Sequence, residues 1–106
     1  MTTRRIPARH WRSYGDDPLP IGREALDEPF RAFPSWFMRI TCDRCGKESM
    51  LNEAHTSSGR RNLPIRALLA RMRHEGCGGL PGRAELLTGI EGASSRPVRK
   101  ILLREG

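Results

Sequence analysis

From Phe37 onward the chain shows regular patterns that its first 37 residues lack. "FMRIT" (37–41) places apolar and polar side chains on opposite sides of an extended backbone, and "ESML" (48–51) offers a second extended run after "CDRCGK". The two predict an antiparallel hairpin with Cys42 and Cys45 at its tip. The next twelve residues, "NEAHTSSGRRNL", are polar and contain glycine, and predict a loop. Pro64 then opens "PIRALLARMR", where Ile65, Leu68, Leu69 and Met72 share one stripe at helical spacing. This predicts a core-facing helix with Asn62 available as its cap. Further on, "RAELLTGI" and "VRKILL" are joined by "EGASSRP" and predict a second hairpin, with Pro97 at a strand's beginning or on an edge. The expected fold is α+β: a small antiparallel sheet with one inserted helix, spanning residues 38–106.

Residues 1–37 carry no helical or strand period and predict an extended, partly disordered arm, with at most a short helical turn around Arg23 to Asp27. All six aromatic residues (Trp11, Tyr14, Phe30, Phe33, Trp36 and Phe37) and five of the eight prolines lie here. A solvated linker has no use for so many large rings, so Phe30 to Phe37 is expected to pack against the domain. The competing reading is a docking peptide for another protein.

The helix raises a question about His74. Projected at helical spacing, His74 falls opposite the apolar stripe, so the helix must end near Arg73 if the imidazole is to turn inward. "EGCGG" supports such an ending by placing three glycines within a few positions of Glu75. His74, Cys77 and Gly78 are then spaced as Cys42, Cys45 and Gly46 are. Two potential ligands separated by two residues and followed at once by glycine occur twice, and each short loop lets both side chains converge on one ion. Three thiolates and one imidazole form a standard closed zinc site, and Cys42, Cys45, His74 and Cys77 are the expected ligands. His55 is the rival fourth ligand, with His10 behind it. A redox pair at Cys42 and Cys45 fits less well, because a returning strand rather than a helix follows them.

At this point the sequence resembles the zinc-ribbon proteins, and more narrowly small bacterial proteins in which two such tips flank a basic segment. The resemblance covers Met38 to Leu103 and implies the same four ligands. The chain departs from the pattern in having histidine third, and in the 28 residues between its tips, against about 15 to 20 in the commonest spacing. The inserted helix accounts for the extra length.

Composition narrows the function. With 106 residues and 37% hydrophobic positions there is room for one domain with a small core, of a size that often needs a staple. Three cysteines cannot all pair, and the first residues lack the apolar run of a secretory signal, so a reducing cytoplasm is expected and no membrane partner. The charge of +7 is uneven, +1 before residue 38 and +6 after it. Arg60, Arg61, Arg66, Arg71, Arg73, Arg96, Arg99, Lys100 and Arg104 are the candidate contacts to nucleic-acid phosphates. The excess of arginine over lysine alone argues nothing about a partner, since codon composition produces it. No paired carboxylates, nucleophile with base, or phosphate-cradling loop is present, so neither an enzyme nor a small-molecule substrate is expected. A catalytic centre would require His74 to act as a base beside a metal held by the cysteines alone. The expected function is a structural-zinc module binding nucleic acid; the alternative is an adaptor that docks into a protein assembly through its aromatic arm.

Overall fold

The computed structural model describes residues 10–12, 18–90 and 97–105. Four antiparallel strands form one sheet: β1 (Phe37–Cys42), β2 (Glu48–Asn52), β3 (Pro81–Leu87) and β4 (Lys100–Arg104), in the spatial order β2-β1-β3-β4. Both expected hairpins are present. What joins them is the pairing of β1 with β3, in which Met38 faces Leu86 and Ile40 faces Ala84. β1 alternates between half-buried and buried positions, and its buried set of Met38, Ile40 and Cys42 continues across the sheet as Ala84, Leu86, Ile101 and Leu103. That row is the sheet's share of the core. Its opposite face carries an ion pair between Arg39 and Glu85; Glu85 is only 5% exposed, and the guanidinium compensates its burial.

Among the described residues three α-helices accompany the sheet: α1 (Gly22–Leu26), α2 (Ser58–Arg61) and α3 (Ile65–Arg71). α1 matches the short turn expected near Arg23, and the Glu24 carboxylate accepts the Ile21 amide at its start. α3 is the expected helix and buries Ile65, Leu68 and Leu69. Asn62 does not cap it: Asn62 closes α2, and Pro64 stands at the N-cap of α3 in an extended conformation. The proline ring disfavours helical backbone at the residue before it, which keeps the two helices apart. The stretch expected as a loop thus contains a 3-10 turn (Glu53–His55) and α2. α3 also ends earlier than expected, with Met72 already extended, and the Arg73 guanidinium donates to the carbonyls of Ala70 and Met72.

Phe30, Phe33 and Trp36 are fully buried, in line with the packing expected for that stretch, and share one core with Met38, Ile65, Leu69 and Leu86. Trp11 stacks on Phe33 with centroids 4.9 Å apart, and Phe33 meets Trp36 edge-on at 5.4 Å. The Trp36 indole donates to the Trp11 carbonyl at 2.6 Å, while the Trp11 amide donates to the Ala32 carbonyl at 2.8 Å. Ser35, with φ of 68°, makes the left-handed turn between the two buried rings. Its amide donates to the buried carboxylate of Glu53, which also pairs with Arg61 at 3.1 Å. One buried acid therefore fixes both the aromatic turn and α2. Tyr14 and the remaining residues of 1–9 and 13–17, on which the expectation of partial disorder falls, lie outside the described residues. No helix among the described residues is long and apolar enough to cross a membrane.

Candidate metal centre

Cys42 is the last residue of β1, and Cys45 sits in the turn to β2. The Cys42 amide donates to the Lys47 carbonyl at 2.9 Å, and the Gly46 amide donates back to the Cys42 carbonyl at 3.0 Å. The second tip has the same pair of bonds: His74 amide to Gly79 carbonyl at 2.8 Å, and Gly78 amide to His74 carbonyl at 2.8 Å. Gly46 and Gly78 hold matching left-handed conformations, with φ of 77° and 73°. In backbone terms His74 occupies the place of Cys42, and Cys77 that of Cys45. The repeated spacing read from the sequence is a repeated structure.

The tips are joined to each other. The Asp43 amide donates to the Leu80 carbonyl and the Leu80 amide to the Asp43 carboxylate, both at 2.9 Å, while the Arg44 guanidinium donates to the Cys77 carbonyl at 2.9 Å. This brings the four side chains together. Cys42 Sγ and Cys77 Sγ are 3.4 Å apart, His74 Nδ1 lies 3.0 Å from Cys77 Sγ and 3.2 Å from Cys45 Sγ, and all four ligand atoms fall within 4.8 Å of one another. The sulfur separation far exceeds the roughly 2.05 Å of a disulfide, and all three cysteines are free. Cys42 is buried, His74 and Cys77 are half-buried, and Cys45 is exposed. The group could hold a metal ion. His55 and His10, both exposed, do not belong to it.

Backbone amides point at two of the sulfurs, from Arg44 to Cys42 and from Gly79 to Cys77, each at 3.4 Å. The Cys42 thiol is drawn down from its ordinary 9.0 to about 6, chiefly by the Cys45 backbone amide, with help from the Arg44 amide and the neighbouring thiols, against the desolvation that would raise it. Cys77 moves the other way. The Gly79 amide favours its thiolate, but desolvation and the nearness of Cys42 and Cys45 together push it up. Adjacent thiols resist sharing negative charge, and a cation among them removes that resistance.

The nine expected phosphate contacts divide into groups. Arg60 on α2, Arg71 on α3 and Arg73 just after it are exposed and line a groove of about 1060 Å³ beside the tips. Arg61 pairs with Glu53, and Arg66 with Asp27 at 3.0 Å. On β4 the alternation turns Lys100 and Arg104 away from Ile101 and Leu103, to the sheet face opposite α3. The Arg104 guanidinium donates to the Pro81 carbonyl, the Arg99 amide donates to the Thr88 hydroxyl, and Arg96 lies outside the described residues. Lys47, which sequence reasoning passes over, lines the same groove as Arg60, Arg71 and Arg73. Its signal is its place directly after the first tip, where the chain returns toward β2. Compared with protein-family models, curated proteins and solved structures, the chain matches none of them.

Proposed function

We propose that Cys42, Cys45, His74 and Cys77 hold a structural zinc ion, and that the resulting zinc-ribbon-like module binds nucleic acid through the groove beside it. A zinc tetrahedron with Zn–S near 2.3 Å and Zn–N near 2.0 Å has edges of roughly 3.5 to 3.8 Å, so small side-chain shifts admit the ion. Three sulfurs and one imidazole suit zinc, and four protein ligands leave no open position for substrate, which favours a structural role over a catalytic one. The free thiols fit a reducing compartment such as the cytoplasm.

The observation that carries the binding role is the cationic rim. Lys47, Arg60, Arg71 and Arg73 line one groove in which Glu75 is the only acid among the described residues. Such a concentration of one sign favours phosphates, and a polyanion drawn to it would lie beside the metal tips. The adaptor reading draws less support, because Trp11 stacks on Phe33 and the rings of Phe30, Phe33 and Trp36 are buried in the chain's own core. The test is a salt titration of oligonucleotide binding by the zinc-loaded protein. Changing Lys47, Arg60, Arg71 and Arg73 to serine should lower the slope of log affinity against log salt by about one for each phosphate that is no longer neutralised, with zinc content unchanged. Absence of binding to RNA and DNA at low salt would refute the proposal.

A further inference from the structure

The groove offers a chemistry that phosphate binding alone does not use. Besides its cationic residues the groove is lined by Leu51, Leu63, Leu68 and Met72, and by Leu80, which remains 41% exposed. Ser49, Met50 and Leu51 belong to β2, the outermost strand of the sheet, and no described strand pairs with its free side. A free strand edge presents backbone N–H and C=O groups open to hydrogen bonding.

We propose that the groove takes a single-stranded polynucleotide, its phosphates on Lys47, Arg60, Arg71 and Arg73 and its unpaired bases against the apolar floor. The inference rests on the nucleic-acid reading above and names the form of the ligand. A duplex keeps its bases stacked inside and offers mainly phosphates to a concave surface, so it can neutralise the rim but leaves Leu80 and the apolar side chains beside it in water. An unpaired base has an apolar face to cover them and a polar edge for the free backbone of β2. The groove's volume of about 1060 Å³ lies at the top of the roughly 300–1000 Å³ range that holds drug-sized ligands, so more than one base fits. Among the described residues no phenylalanine, tyrosine or tryptophan lines it. Contacts to methionine and leucine replace ring stacking and adapt to any base, which makes discrimination among bases weak. Cys42, His74 and Gly79 also line the groove, so its shape depends on the metal tips.

The experiment measures fluorescence anisotropy of labelled oligouridine, oligodeoxyuridine and a duplex of matching length with the zinc-loaded full chain at low salt. The single strands should bind about tenfold tighter than the duplex, the equivalent of covering the exposed part of one leucine side chain, and Leu80→Ser should erase most of that preference without changing duplex affinity, zinc content or circular dichroism. Oligouridine and oligodeoxyuridine differ only in the 2′-hydroxyl, so whichever binds tighter identifies RNA or DNA as the source, and either result supports the proposal. Equal affinity for single strand and duplex, or a preference indifferent to Leu80→Ser, overturns the single-strand occupant and leaves the broader nucleic-acid reading standing. Failure to bind any oligonucleotide overturns both. Poly-glutamate binding tighter than every oligonucleotide overturns the proposal in favour of an acidic protein partner.

Discussion

Replacing Gly79 by alanine tests the metal centre without touching a ligand. A Cβ at this position would overlap Cys42 Sγ and approach the Arg44 Cβ to 2.9 Å and the Asp43 carboxylate to 3.1 Å. Without metal, Cys42 can turn to another rotamer and relieve the overlap. With metal, Sγ is pinned, because it must face the ion from the end of a strand whose amide is already bonded to Lys47. The strain from Sγ therefore falls on the bound state, while the approach to the Arg44 Cβ burdens both states. Overpacking a tight site costs about 1–3 kcal/mol, which corresponds to a fall of roughly 5- to 150-fold in zinc affinity. Gly46 and Gly78 serve as comparisons: nothing lies within 4 Å of an added Cβ, but their φ values of 77° and 73° strain any side chain, at about 1–2 kcal/mol each. Gly59 in α2 has open space and no such backbone, so alanine there should be neutral or stabilising by about 0.5–1 kcal/mol. Competition against a chromophoric chelator gives the four affinities, and melts in excess chelator show whether the metal-free fold is also strained. If Gly79→Ala holds zinc as tightly as Gly59→Ala, the close approach of the second tip to Cys42 is not real and the centre is built differently.

Four further outcomes are expected. His74→Cys should retain zinc and His74→Ala should lose most of it, while His55→Ala changes little; elemental analysis of the purified variants checks this, and the reverse order would transfer the ligand role to His55. Chelation should lower the melting temperature markedly, since coordination contributes on the order of 10 kcal/mol in small zinc domains, and identical melts before and after chelator would remove the structural role. Acid should release the metal with a break in slope: above about pH 6 Cys42 is already a thiolate and loses no proton on binding, whereas below it that proton must also be displaced. Affinity measured across this value should fall more steeply on the acid side, and a constant slope would contradict the thiolate assignment. Phe33→Ala, which empties a fully buried site between Trp11 and Trp36, should destabilise the zinc-loaded chain by about 3–5 kcal/mol in denaturant titration.

The features legible in the sequence are those encoded by neighbours in the chain. Each tip is set by ligands three residues apart and a glycine directly after, and both hairpins follow from short runs around turn residues. The pairing of β1 with β3 is not legible, because Ile40 and Ala84 carry no mark of their adjacency and only the assembled sheet brings them together. Nothing in the sequence marks Glu53 and Glu85 as buried, yet both are 5% exposed, Glu53 paired with Arg61 of α2 and Glu85 with Arg39 on the neighbouring strand. The expected arginine face is a sum over one-dimensional positions. Strand alternation on β4 separates Lys100 and Arg104 from the helix residues, and Lys47 joins the groove from a turn whose sequence points only to its thiols.

The placement of the two local signals explains how so small a chain positions a groove. The aromatic cluster stands at the start of β1, where Trp36 precedes Phe37 and its carbonyl accepts the Glu53 amide. The metal ligands stand at the other end of β1, where Cys42 pairs with Pro81 across a register shift. α3 spans the interval. Its first residue, Ile65, donates its amide to the Glu28 carbonyl beside the aromatic end, and seven residues of helix, about 10 Å, carry the chain to the second tip. Packing fixes one end of that helix and coordination would fix the other. The groove lies between α3 and β2 on the metal side, so the aromatic core alone cannot set its width; the distance between Arg71 and Lys47 depends on Cys77 and His74 remaining joined to Cys42 and Cys45. An ion held there would thus act on whatever the groove takes without touching it, by keeping the two cationic walls at a fixed separation.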